Sequence, residues 1–522
     1  MELESINSQA HTAHSDATAS PDTDRRKPAA STPEQEPIVL LSNWNFFTIL
    51  SCLSAAVILC GYDSTCVATL TPIISDEFGS LNDVSWYGIA YSLASCATVL
   101  SYAKLYSFYR TTTVLVASFI VGRVIAGLGN SGILSGTNIT LARIVPLHKR
   151  AFYQALIGGV ECVALAVAPF LSGCIAEYAS WRVCFYICLP LGVIPIVAVL
   201  LFLRLPKTAA QAQDLRPSDK LRQLDLPGMA LFVPWVVCLV LALQWGGSEY
   251  TWTSKQMITL FALVGTFLLA MQEHATLPLR LLRSRVMLSS MLVTFATSGA
   301  LYVFTFYVPL YNQAVRGVTT MESGLRDLSR ILGLVCAISI GGIATNTIGY
   351  YMAPMLFGAA LMIVGAALTT TFDPSTALSH ILIYQAILGI GCGLVFQQPY
   401  TAAQASIATA DVNVAIVIIT FAQLLGSVVM LAVAQNVFST RLAAGIAFSV
   451  PGLDPNSILN AGATSLRELV PMQYLAGALE AYNGARVDVF YTGLAIASVT
   501  TLGALGSGWK SVKQMSKEAK QK

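Results

Sequence analysis

Charge is what this chain has least of. Asp, Glu, Lys and Arg make up 11% of its 522 residues, against 55% apolar residues and a mean hydropathy of +0.66. A soluble domain carries about 25% charged residues, and no soluble fold of this size covers so apolar a surface with so little charge. Most of its solvent is therefore the lipid bilayer. The net charge of +3 excludes a strongly basic nucleic-acid binder. The five histidines, at 11, 14, 148, 274 and 380, form no ligand spacing, and no Walker loop occurs, so neither a metal nor ATP is implied. No catalytic constellation appears, so the chain is not read as an enzyme, and nothing calls for a cofactor. The eleven cysteines all lie in apolar stretches and form no C-x-x-C pair. They read as small packing residues rather than disulfides or metal ligands.

What remains is a succession of apolar segments, each near the ~20 residues that cross a bilayer. They run over 45–70, 84–103, 114–142, 152–176, 182–203, 226–246, 256–273, 287–311, 328–348, 352–371, 380–399, 412–437 and 487–509. Trp44, Trp86, Trp181, Trp245, Trp252 and Trp509 stand near span ends, as interfacial anchors do, while Trp235 falls mid-span. Residues 1–43, rich in Ser, Thr, Ala, Pro and charge, lack the apolar core of a signal peptide and read as a disordered tail.

Basic residues orient the spans. Arg25, Arg26 and Lys27 place the first tail in the cytoplasm, and five lysines from Lys510 to Lys522 do the same for the tail 510–522. The group Arg143, Lys149 and Arg150, the stretch from Arg204 to Arg222, and Arg280, Arg283 and Arg285 also read as cytoplasmic. The connection 440–486, long and poor in Lys and Arg, reads as external. One region breaks this scheme. Lys104 and Arg110 at one end of segment 111–145 and Arg143 to Arg150 at the other both belong inside. Two crossings need about 40 residues plus a turn, more than the segment holds. The count is thirteen spans, with about one helix missing between 105 and 125.

Several strings, taken in order and spacing, carry a resemblance: GYDSTCVATLTPII (61–74), GRVIAGLGNSGILSG (122–136), VPLHKR (145–150), SWRVCFYICLP (180–190), LALQWGGSEYTW (241–252), YVPLYNQAVRGV (307–318), GIGCGLVFQQPY (389–400), AQNVF (434–438) and WKSVK (509–513). From about residue 44 onward the chain resembles the fungal fourteen-span branch of the drug:proton antiporters in the major facilitator superfamily. The resemblance implies an all-α polytopic membrane fold with two six-helix halves, 44–203 and 286–509. Residues 204–285 would form a cytoplasmic linker and two additional central spans, with a substrate cavity near the midplane. It also implies proton-coupled efflux of hydrophobic small molecules such as toxins, drugs or secondary metabolites, by a monomer. The membrane would be the plasma membrane, with a vacuolar or vesicle membrane as the alternative. Partners are then a small hydrophobic substrate, protons and lipid. Two departures stand out. The loop after the second span reads Ala103-Lys104-Leu105-Tyr106-Ser107-Phe108-Tyr109-Arg110 and lacks the family's acidic residue and glycines. The stretch from Val114 to Ile120 then runs almost directly into Gly122-Arg123, where the family has a complete third span. An importer or uniporter of the same fold, or a transport-deficient paralogue, are the alternatives.

Within the spans a few residues are candidates for the chemistry. Arg123 is intramembrane and costly. It shares a helical stripe with Asn130 and Thr137, and the family's matching arginine is implicated in proton coupling; the alternative is an arginine bonded to carbonyls or snorkelling to the interface. Asp63, with a family counterpart, is a carboxylate able to take and release a proton, or else an interfacial aspartate. Glu161 has no charged neighbour in sequence and reads as a proton site, a contact for a cationic substrate, or a tolerated substitution. Gly158, Gly159, Pro169 and Gly173 remain of the family's Gly-Pro export motif, in which Cys162, Ala168 and Ser172 replace glycines. Gly127 and Gly129 open a G-x-G-x-x-G string, but inside a membrane helix this means close packing rather than a dinucleotide site. Asn130, Tyr307, Gln397 and Gln398 are candidate cavity residues, with anchoring and satisfied carbonyls as the alternative.

Overall fold

The fold is described from a computed structural model, over residues 43–78, 84–108, 126–145, 147–202, 226–247, 250–273, 279–407, 412–450 and 470–509. All lie in one unit, Pro37–Lys522. Helices α1 (Asn43–Phe78), α2 (Val84–Phe108), α3 (Ala126–Ile144), α4 (Leu147–Tyr178), α5 (Trp181–Tyr186) and α6 (Cys188–Phe202) come first. Then follow α7 (Leu226–Trp245), α8 (Lys255–Glu273) and the single turn α9 (Leu279–Leu282). The last group is α10 (Arg285–Leu310) with a π-helical turn at Tyr311–Val315, α11 (Thr320–Ile348), α12 (Met352–Thr370), α13 (Leu378–Phe396), α14 (Gln398–Ser406), α15 (Val412–Ser449) and α16 (Leu475–Gly506). Among the described residues there is no strand, only one isolated bridge between Gly246 and Tyr250. Nine described helices or helix pairs are long and apolar enough to cross a membrane, and two shorter apolar helices, Ala230–Trp245 and Lys255–Phe267, stand beside them.

Backbone groups in lipid must be satisfied within the helix, which is why runs of apolar residues become helices here at all. Pro72, Pro169, Pro195, Pro234 and Pro309 sit inside helices, as membrane helices allow. Two signals fix α11 locally. The Thr319 side chain accepts from the Glu322 amide at 3.2 Å, closing the N-terminus, and Gly349 closes the C-terminus at φ 85°.

Packing divides the helices into groups. α1 lies against α4 and α6, and α2 against α3. α10 packs on α15 and α16, while α13 packs on α11 and α12. The two groups meet along two seams, α4 with α11 and α2 with α15, and α7 touches both sides through α2 and α15. The largest core cluster runs through Phe304, Tyr307, Tyr311, Phe438 and Phe490.

Each expected span finds a helix, that at 114–142 being described only from residue 126. Residues 109–125, which hold Arg123 and nearly all of the expected shortfall, lie outside the described residues. So do the tails 1–42 and 510–522, the linker 203–225 and residues 451–469. The external connection expected over 440–486 is corrected: α15 continues to Ser449 and α16 begins at Leu475. Both extensions, TRLAAGIAFS and LAGALEAYNGAR, are rich in good helix formers. The span expected from 328 likewise starts at Thr320, because the Thr319 cap precedes it.

Candidate transport site

Glu161 projects from α4 at the meeting of the two helix groups. Gly61 of α1 lies against it: a β-carbon there would sit 3.2 Å from the Glu161 carbonyl and 3.7 Å from its Cγ. The Glu161 side chain is half-buried. From the other group, the hydroxyls of Tyr302 on α10 and Tyr400 on α14 are within its electrostatic range. Tyr302 bonds to Ser92 of α2 and stacks on Phe306, with 6.3 Å between ring centroids. The Tyr400 hydroxyl donates to Gln423 Oε1 at 2.7 Å. One turn from Glu161, Gly158 has only the Gln397 amide near it, 3.9 Å from where a β-carbon would be. The Asp63 carboxylate on α1 accepts from Cys188 Sγ at 3.1 Å. Its charge reaches Tyr91 of α2, which is within range of Tyr302.

At one end the two helix groups are in direct contact. Gln313, on the π-helical turn, donates to the Thr69 carbonyl of α1 at 3.1 Å. At the α4–α11 seam a β-carbon on Gly173 would meet Met321 Cα and the Thr320 carbonyl at 2.9 Å, and one on Gly324 would meet the Pro169 carbonyl at 2.5 Å. These contacts fall at the helix ends that the basic residues place outside. Pro169 and Gly173 therefore lie in a close helix crossing. Gly159 does not: a β-carbon there meets nothing within 4 Å, so the packing expected of it is absent.

Of the expected cavity residues, Gln397 reaches from the second group toward Gly158 of α4. Tyr307 is fully buried, its hydroxyl donating to Gln435 Oε1 at 3.0 Å. The Gln398 amide oxygen accepts from Thr345 at 2.8 Å within its own group. Asn130 donates to Ser95 Oγ at 3.3 Å across the α2–α3 contact. Each answers a neighbouring helix, because a buried polar group in lipid needs a partner close at hand. Gly127 and Gly129 fall in α3, where Gly129 is buried.

Two sets of buried charges escaped the sequence reading. On α11, Asp327 pairs with Arg330 at 2.6 Å, both almost fully buried, and Arg330 also donates to Thr305 of α10 at 2.8 Å. One turn earlier Arg326 pairs with Glu322 at 2.5 Å. On α16, Arg486 is wholly buried: it donates to the Phe372 carbonyl and to Asn483 Oδ1, each at 2.7 Å, and lies over the rings of Tyr311 and Phe490. The Thr319-x-x-Glu322 capping pattern was the readable signal for the first set. The second had no comparable marker.

Comparison with known proteins bears on what such a bundle does. The chain is 35% identical to the efflux pump roqT of Penicillium rubens, over 91% of this chain and 92% of that one. It is 38% identical to the MFS-type transporter astH of Aspergillus oryzae over 90% and 88%, and 37% identical to the efflux pump aflT of Aspergillus parasiticus over 91% and 97%. In fold it is similar to a bacterial homologue of the human lysosomal transporter Spinster, crystallised inward-facing and occupied. The TM-score is 0.57 at 13% identity, over 90% of this chain and 100% of that one. The Major Facilitator Superfamily profile matches residues 103–431. An all-α polytopic bundle whose two helix groups meet around a polar site, closely related to fungal efflux pumps, is a secondary transporter of small molecules working by alternating access, and the chain belongs to the Major Facilitator Superfamily.

Proposed function

We propose that this transporter is a proton-coupled exporter of hydrophobic small molecules such as toxins, drugs or secondary metabolites, acting as a monomer in the plasma membrane. The observation that carries the reading is a pair of intramembrane carboxylates on neighbouring helices, Asp63 on α1, which accepts from Cys188, and Glu161 on α4, which packs against Gly61. Such groups are expensive in lipid and are kept for transport work. The names of its fungal relatives support the direction. In this reading 44–203 and 286–509 rock as two halves about the site, with 204–285 contributing two central spans, and the first half is one helix short between 105 and 125. Asp63 and Glu161 exchange protons, and Arg123 supports the coupling from α3's N-terminal side.

The test is transport by the full chain in proteoliposomes of defined orientation. Movement of a hydrophobic dye in the export direction requires an opposing proton gradient, and Asp63→Asn and Arg123→Ala abolish it. Gradient-independent movement, or movement only in the import direction, sinks the reading.

A further inference from the structure

Asp63 stands among buried thiols. Cys66 lies one helical turn along α1, and Cys184 on α5 and Cys188 at the start of α6 approach from the helices beside it. All three are at most 2% exposed. Their hydrogen bonds differ. Cys66 Sγ donates to the Asp63 backbone carbonyl at 3.6 Å, and Cys184 Sγ donates to the Ser172 carbonyl at 3.6 Å. Cys188 Sγ turns to the Asp63 side chain, with Oδ1 at 3.1 Å, and shares its proton with the Cys184 carbonyl at 3.5 Å.

The other titratable groups nearby come from every helix packed on α1. Tyr62 flanks Asp63 on α1 itself, and from α2 Tyr91 is within its electrostatic range. On α4, Glu161 lies against Gly61. Tyr302 of α10 is in range of Tyr91. Arg182 of α5 pairs with Glu77, and the charges of α11 pair with one another. Helix α3 carries one charge, Arg143, at its inner end. Within this setting an S–H donor favours the ionised carboxylate, because it bonds the charged oxygens better than the protonated group. Asp63 and Cys188 also belong to one packed group, α1 against α6. Their bond therefore does not depend on how the two helix groups meet. A partner that stays in place through the cycle sets how readily the carboxylate takes a proton and does not gate it.

We propose that Cys188 is a positioning residue for proton exchange, its thiol holding the Asp63 carboxylate in the charged form. The proposal rests on the reading that Asp63 exchanges protons during transport.

Gradient-driven dye transport by the full chain, measured against pH at saturating dye, tests it. Cys188→Ala removes the donor. The midpoint of the profile then moves to higher pH by about 0.5–1 unit, the three- to tenfold gain in proton affinity expected when a carboxylate loses a weak donor. The maximal rate holds within about twofold. Cys188→Ser keeps a donor and stays within about 0.3 unit of the parent. An unmoved midpoint in Cys188→Ala overturns the proposal. So does an equal loss of rate at every pH, which is what a packing role alone would give. Should Cys188→Ala misfold, infrared difference spectra of the unaltered chain follow the same bond without transport. The S–H stretch, assigned by its loss in Cys188→Ser, shifts as the Asp63 carboxyl band, assigned by its loss in Asp63→Asn, titrates. An S–H stretch indifferent to that titration overturns the idea. The export reading fails separately. Bands that titrate together while transport ignores the proton gradient remove proton-coupled export and leave Cys188 holding Asp63, whereas gradient-driven transport with an unmoved midpoint does the reverse.

Discussion

Removing one member of the Asp327–Arg330 pair should damage this fold more than removing both. The two side chains are 2% and 3% exposed and 2.6 Å apart. At an effective dielectric of about 20, charges that close attract by about 6 kcal/mol. That attraction offsets a desolvation cost of several kcal/mol per ion, so the intact pair contributes little net stability. Asp327→Asn removes the attraction but leaves the Arg330 charge buried, with Thr305 Oγ1 as its remaining partner. The expected loss is about 3–5 kcal/mol. The double variant Asp327→Leu with Arg330→Met removes both charges at similar volume, and should come within about 1 kcal/mol of the unaltered chain. The assay is equilibrium unfolding in mixed detergent micelles, followed by tryptophan fluorescence and arranged as a double-mutant cycle. A single variant as stable as the parent, or a double variant as unstable as the single, refutes the reasoning. The first result would mean that water or another group reaches Arg330, and the second that the loss comes from packing rather than from an uncompensated charge.

Gly173→Leu should force α4 away from Met321 and Thr320, costing about 1–3 kcal/mol of stability and slowing transport, while Gly159→Ala should leave both unchanged; thermal melts and dye efflux compare the two. Arg486→Lys keeps the charge but cannot reproduce two directed donations and stacking on two rings. A loss of about 2 kcal/mol is expected, and a melting temperature matching the parent would contradict it. In the connection between α12 and α13, the Ser375 hydroxyl and amide donate to Asp373 and hold its carboxyl below the usual carboxylate range. A group depressed on folding stabilises above its unfolded value of about 3.9 and loses that contribution as pH falls through the folded value. Amide exchange at Ser375 should therefore stay protected at neutral pH and be released in strong acid, with Asp373→Ala showing no such transition.

The spans were legible because lipid imposes a single requirement, apolar length, and leucine-rich runs satisfy it without tertiary help. Polar partners were much less legible, for a physical reason. A span end is read where charge begins, so Arg326 and Asp327 fell outside a span starting at 328, with Arg330 just inside it, and Arg486 fell at the end of a loop. The structure puts all four inside helices, because i,i+3 and i,i+4 pairing and neighbouring carbonyls neutralise them there. Tyr307 and Gln398 failed as cavity residues in the opposite sense. Amphipathic side chains suggest a wet face, but in a bundle they are as readily consumed by the next helix.

Glu161 differs from the carboxylates of α11 in how its charge can be compensated. A carboxylate whose partner lies three or four residues along its own helix is solved locally and needs nothing else. Glu161 has no basic residue at those spacings, where Ile157, Gly158, Ala164 and Leu165 stand. Any compensation must come from another helix or from outside the protein. The helices packed on α4 have already committed their described cations elsewhere. Across the gap, Tyr302 and Tyr400 can solvate a charge but cannot neutralise one. Among the described residues the compensator left to it is a proton, and a carboxylate that takes and releases one where the helix groups meet is what the proposed proton coupling requires.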